Sequence, residues 1–324
     1  MAASSNSDNN SAHPVWRRRG NRLLLLIVLV LVPWFLFQLV RNLDWADVTR
    51  AIGSFSNLNL SLGLVAAVAS YCVYASFDLL GRHYTGHQLP SSQVLPVTFV
   101  CYAFNLNLGA WIGGVALRYR LYSRLGLDVA TITRILSFSL ITNWLGYVLL
   151  AGILFSLRLI RLPDAWKLST TGLQWLGFAL LLTGLGYLLA CGYSRRRTWN
   201  LRGHEITLPT GPVALTQAVL GVVNWLLMAA VIFLLLPDHA YYPLVVSVLL
   251  IGSIAGAISH IPAGLGVLET VFIALLQHQF SQGTLVAVLI GYRALYFLFP
   301  LAIASVVYLL LENNAKALTH QSAN

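Results

Sequence analysis

The chain has 324 residues, of which 58% are hydrophobic and only 9% charged, and its formal net charge is +10 at pH 7. The apolar residues form long runs instead of short periodic stripes, which excludes an ordinary soluble domain and describes a polytopic membrane protein. The basic residues stand in short clusters beside those runs, so they read as orientation signals and as contacts for anionic lipid headgroups, and no nucleic-acid partner is expected.

Residues 1–22, MAASSNSDNNSAHPVWRRRGNR, form a polar tail ending in a basic cluster. We read this tail as disordered. The apolar run over 23–41 is long enough to span a membrane, and no small-residue cleavage site follows it, so it reads as an uncleaved first helix. The next stretch, NLDWADVTRAIGSFS, has the mixed helical spacing of a short interfacial helix. Further full spans are expected over 58–80, 131–157, 172–192, 213–236 and 284–311, about six in all. Two other apolar regions, 93–117 and 243–280, are interrupted by glycines, and the second also by Pro262. The membrane domain thus runs over 23–312, with a short cytoplasmic tail over 313–324. Cys72, Cys101 and Cys191 lie in hydrophobic segments without CxxC spacing, so neither a disulfide nor a metal role is expected.

Charge decides how the interrupted regions run. If both enter and leave on one side, the N-terminal arginines, Arg82, Arg118, Arg120, Arg124, Arg134, Arg195, Arg196, Arg197, Arg202 and Lys316 are cytoplasmic, while only Arg41, Arg50, Arg158, Arg161 and Lys167 face out. A full crossing by 93–117 would put the RYRLYSR and RRR clusters outside, against the positive-inside bias. We therefore read two re-entrant elements, the first dipping in from the cytoplasmic side and the second from the opposite side. Inverted-topology repeats produce this arrangement in transporters, with a site near the midplane. WIGGVALR and IPAGLGVLE share a small-residue kink followed by apolar residues and a charge, which is compatible with such a repeat. The expected fold is all-α, a polytopic helical bundle with two re-entrant helical elements.

In SHIPAGLGVLETVF, Pro262 lacks a donor and Gly264 and Gly266 lower helix propensity, so the helix should end near His260 and restart before Glu269. A restarting helix offers free N–H groups and a positive dipole end to an anion. The alternative is a kink whose glycines only permit close packing. Ionisable residues inside spans are costly and are usually paired or functional. Asp78 has Arg82 at i+4 and reads as one half of a surface pair, whereas Arg293 lies deep in the last span and has Glu269 as its obvious partner. In CYAFNLNLGAWIGGVALRYRLYSRLGL, Asn105 and Asn107 sit at depth, and Arg118 and Arg120 follow as candidate forked contacts for phosphate or as a plain orientation cluster. Asn143 with Trp144 and Asn224 with Trp225 read as interhelical glue. His83 and His87 lack the glutamate of a zinc-protease helix, and no nucleophile elbow, P-loop or paired-carboxylate motif is present. Neither an enzyme nor a cofactor is expected.

Nearly the whole chain resembles the membrane region of the lysylphosphatidylglycerol synthase and flippase superfamily, and within it the stand-alone YbhN-type bacterial inner-membrane proteins. The stretches that carry this are CYAFNLNLGAWIGGVALRYRLYSRLGL, ITNWLGYVLLAGI, SHIPAGLGVLETVFIALL and YRALYFLFP. The Pro-x-Gly-x-Gly-x-x-Glu pattern falls on Pro262, Gly264, Gly266 and Glu269, and the later Arg falls on Arg293. Many members also show Gly-Glu-x-x-Arg in the first half. Gly114 and Arg118 match it, but Val115 stands at the Glu position, which speaks against a carboxylate in both halves. The resemblance implies a flippase-like inner-membrane bundle that moves or handles phospholipid, here expected without the aminoacyltransferase domain of the bifunctional members; the arginines fit an anionic lipid of the phosphatidylglycerol or cardiolipin class, and the charge pattern makes the N-terminus cytoplasmic. Its path would comprise Asn105, Asn107, Arg118, Arg120, His260, Pro262, Gly264, Gly266, Glu269 and Arg293. The alternative is a non-transporting accessory protein that binds lipid or a lipid-synthesis enzyme; homo-oligomers fit either reading.

Overall fold

A computed structural model describes residues 53, 55–160, 169–195, 197–201, 204–237, 240–259 and 264–321. The tail over 1–22, the span over 23–41 and most of the expected interfacial helix lie outside them. Helix α1 runs Asn57–Thr85: Ser56 Oγ accepts from Asn59 N at 3.1 Å to start it, and Gly86 ends it with φ 75°. There follow α2 (Ser91–Leu108), a π-helical segment Ala110–Ala116, α3 (Leu117–Arg124), α4 (Val129–Ser156) and α5 (Thr170–Tyr193). After them come α6 (Gly211–Leu235), α7 (Tyr242–Ser259), α8 (Val267–Leu276), α9 (Gln282–Arg293), a second π-helical segment Ala294–Leu298 and α10 (Phe299–Gln321). One short element in the basic loop before α6 is not helical. It is an antiparallel hairpin of β1 (Thr198–Leu201) and β2 (His204–Thr207), with Thr198 opposite Thr207.

Among the described residues, Asn57–Thr85, Val129–Ser156, Thr170–Tyr193, Gly211–Leu235 and the combined helix Gln282–Glu312 are each long and apolar enough to cross a membrane. These match the five expected spans in that part of the chain. At 1.5 Å per residue, the 25 residues of α6 extend about 37 Å, more than the hydrocarbon core. The two interrupted regions are helical hairpins, α2 with its π-helical return and α7 with α8. Contacts assign the ends. Tyr84 Oη donates to Thr207 O, and Arg120 and Arg124 pair with Glu312, so the ends of α1, α3 and the last span share one face with the start of α6. Because α6 and Gln282–Glu312 each cross, the α7–α8 hairpin begins and ends at the opposite face. This is the two-sided arrangement that the charge pattern calls for.

The first hairpin closes because Gly113 has no side chain: a Cβ there would lie 2.0 Å from Asn105 N. The crossing of α4 and α6 depends on the same property, since a Cβ on Gly146 would meet the Gly221 carbonyl carbon at 2.1 Å. Beside that crossing, Trp225 Nε1 donates to Asn143 O at 3.2 Å, and Asn224 Oδ1 accepts from Ser70 Oγ at 2.8 Å. Ser70 also lies 2.6 Å from Tyr296 Oη, which lies 2.8 Å from Tyr102 Oη. This buried polar chain joins α1, α2, α6 and the second π-helical segment. Pro300 supplies no N–H to the preceding turn, and two side chains cover carbonyls there: Tyr71 Oη donates to Tyr296 O (3.1 Å) and Asn107 Nδ2 to Phe297 O (3.2 Å).

Candidate functional site

The tips of the two hairpins meet at one cavity of about 310 Å³. Asn105 and Leu106 line it from α2, and Gly252, Ser253, Gly256, Ala257, Gly264 and Leu268 from the second hairpin. Asn143, Trp144, Tyr147, Trp225, Tyr292 and Phe297 also line it, with Met228, Leu249 and Ile254. The volume far exceeds the roughly 10–15 Å³ that one water needs. Its wall mixes the polar side chains of Asn105, Asn143 and Ser253 with aromatic and aliphatic ones.

The second hairpin breaks through two left-handed residues, Gly264 (φ 58°) and Gly266 (φ 77°), and α8 restarts at Val267 with Glu269 in its first turn. His260 and Pro262 lie outside the described residues. Arg293 closes the twelve-residue helix α9 and is 4% exposed. Its Nε donates to Glu269 Oε1 at 2.7 Å and its Nη2 to Gly264 O at 3.4 Å, while its guanidinium lies 5.7 Å above the Phe297 ring. The expected Glu269 to Arg293 contact is thus formed, 24 residues apart in sequence. Gly264 and Phe297 also line the cavity, so the pair stands directly behind its wall. Glu269 Oε2 is buried and takes no hydrogen bond. One carboxylate oxygen therefore remains an open acceptor.

The first half differs from the sequence reading. Asp78 does not pair with Arg82 at the surface; it is fully buried and bound to Arg118, whose Nη2 reaches Oδ1 at 2.9 Å and whose Nε reaches Oδ2 at 3.2 Å. Tyr122 Oη (2.8 Å) and Thr98 Oγ1 (3.0 Å) donate to the same Oδ2. The reason is solvation: a carboxylate in an apolar span needs a charged partner and hydrogen bonds, and a rigid forked guanidinium supplies both better than an exposed i+4 neighbour. Arg118 is 2% exposed and committed to this network, so it does not face a headgroup layer. The carboxylate that Val115 does not provide comes to Arg118 from α1.

Arg120 and Arg124 both bind Glu312, and the Arg124 side chain remains 28% exposed. Asn105 reaches the cavity, whereas Asn107 is buried in helix contacts to Ala103 O and Phe297 O. Sequence reading missed Asn143 as a lining residue, Glu312 as the partner of the arginines, and the Tyr102–Tyr296 chain. Only the cost of an acid inside an apolar span, which applies to Asp78, offered a sequence signal for any of the first-half pairing.

A family model for the lysylphosphatidylglycerol synthase transmembrane region matches residues 22–304. The chain is 46% identical over 310 residues to inner membrane protein YbhN of Escherichia coli (strain K12), covering 95% of this chain and 97% of that protein. It is 29% identical over 269 residues to an uncharacterized protein of Synechocystis, covering 82% of this chain and 83% of that one. With the phosphatidylglycerol lysyltransferase of Staphylococcus aureus it shares 20% identity over 278 residues, which cover 84% of this chain but 32% of the staphylococcal protein.

Proposed function

The chain belongs to the lysylphosphatidylglycerol synthase transmembrane-region family, a membrane family tied to phospholipid handling, and from that premise we propose that it moves an anionic phospholipid across a bacterial inner membrane without acting as an enzyme. The substrate class is phosphatidylglycerol or cardiolipin, and the N-terminus is cytoplasmic. The observation that carries this reading is the cavity where two hairpins from opposite faces meet, backed by an ion pair with an open carboxylate oxygen.

A headgroup crossing the apolar core needs polar contacts along the way. Arg124, whose side chain is 28% exposed, gathers it at the Glu312 face, in place of Arg118, which serves Asp78, and of Arg120, which is buried against Glu312. In the cavity, Asn105, Asn143 and Ser253 offer amide and hydroxyl contacts. A phosphate engages Arg293 in forked geometry, while a headgroup hydroxyl donates to Glu269 Oε2. Exchanging one charged partner for another avoids the cost of a bare buried charge, so the pair can open as a gate. Gly264 and Gly266 give the gate its bend, and His260 and Pro262 flank it in sequence.

Filling the cavity tests this. Ser253→Trp in proteoliposomes should abolish transbilayer movement of labelled phosphatidylglycerol while the purified protein keeps its monodisperse elution. Unchanged movement in a cavity-filled protein would show that the headgroup takes another route.

A further inference from the structure

Two further cavities lie away from the one between the hairpins. At the Thr85 end of α1, a polar pocket of about 390 Å³ is lined by Leu79, Arg82, His83, His87, Gln88 and Ser91, with no carboxylate among its lining residues. Next to it runs a groove of about 620 Å³ between α1, α2 and the last span, lined by apolar side chains such as Ala75, Leu95, Phe99 and Val307. Leu79 lines both, so the polar pocket and the apolar groove adjoin at that side chain. From Leu64 to Leu79 the groove follows about 22 Å of helix, more than the roughly 15 Å depth of one hydrocarbon leaflet.

Three donor groups belong to residues at the pocket. Leu89 N donates to His87 Nδ1 at 3.3 Å, which leaves the ring proton on Nε2. That Nε2 is buried and has no partner. Arg82 Nη1 donates to Ser91 Oγ at 3.1 Å, which holds the guanidinium over the start of α2, and no side chain caps the first turn of that 18-residue helix. An uncapped helix start, a guanidinium and an imidazole N–H together suit an oxyanion.

We propose that pocket and groove form a second phospholipid site, separate from the central cavity. In it the phosphodiester sits between Arg82, His87 Nε2–H and the first turn of α2, while acyl chains lie along α1, α2 and the last span. Burial, and secondarily Arg82, hold the His87 pKa below its ordinary value, so the neutral donor form persists at physiological pH.

The test counts lipids bound to the purified full chain by native mass spectrometry during titration with dioleoyl phosphatidylglycerol. Glycerol phosphate and dioleoylglycerol serve as arms that each carry one half of the ligand. We expect saturable binding of the whole lipid and much weaker binding of either half. Arg82→Gln with His87→Leu should raise the apparent Kd about tenfold, as should Cys72→Trp, which fills the groove from an exposed position without touching the polar pocket. Ser253→Trp should leave this binding in place, so the result is independent of the translocation reading. Equal affinity in both sets of variants, equal binding of glycerol phosphate or dioleoylglycerol, or loss of binding only in Ser253→Trp would each overturn the site.

Discussion

Asp78→Asn changes one oxygen to an amide and removes the charge that balances Arg118. In the structure Asp78 is fully buried, Arg118 is 2% exposed, and the carboxylate also accepts from Tyr122 and Thr98. Removing one partner of such a pair leaves an uncompensated charge, costing about 3–5 kcal/mol, or roughly two to three and a half decades in the unfolding equilibrium. Arg82→Gln removes a side chain that donates an exposed hydrogen bond to Ser91, and it should cost no more than about 1 kcal/mol, as at an exposed pair. The assay is reversible unfolding in mixed detergent micelles for Asp78→Asn, Arg118→Met, the double variant and Arg82→Gln. The double variant should lose less than the sum of the two single losses, because neither charge is then stranded. If Asp78→Asn unfolds within about 0.5 kcal/mol of the parent, or Arg82→Gln costs more than Asp78→Asn, the buried pair does not fasten α3 to α1.

Gly113→Ala places a Cβ against the Asn105 backbone and should prevent the first hairpin from closing, whereas Gly186→Ala, with nothing within 4 Å, should express and elute as the parent does on size exclusion. Tyr71→Phe strips the donor from Tyr296 O beside Pro300 and should cost about 1–3 kcal/mol, measured in the same unfolding assay; no loss would mean that this carbonyl is satisfied elsewhere. In lipid-free detergent the His87 imidazole should titrate below its ordinary 6.5, because burial and then Arg82 disfavour the charged ring. With the folded pKa lowered, the stability linked to the neutral ring is complete above pH 6.5 and is lost as pH falls through that lowered value. An NMR midpoint at or above 6.5 would contradict this.

Much of the architecture was legible in residue order alone. Spans follow from long apolar runs, the hairpins from glycines that interrupt such runs, and their opposed entry from where the arginines fall. The Glu269 to Arg293 pair was also legible, since so few charges lie at depth that each has few candidate partners. Asp78 misled because i+4 proximity is a local rule, while its partner stands 40 residues away. Glu312 meets Arg120 across 192 residues, a relation that only the folded bundle reveals. The cavity wall was only partly visible for the same reason: Asn105 was marked by its depth, but Asn143 reads equally well as helix glue. The π-helical segments have no residue signature comparable to Pro262 or Gly266, and their covering donors, Tyr71 and Asn107, come from other helices.

The central claim is that headgroups pass the Glu269 to Arg293 gate, and transbilayer movement of headgroup-labelled phosphatidylglycerol in proteoliposomes tests it most directly. The protein should accelerate movement above protein-free vesicles, and Glu269→Gln and Arg293→Ala should each lower the rate at least about tenfold, the equivalent of one charge-assisted hydrogen bond. Equal rates for the parent and both variants would contradict the gate.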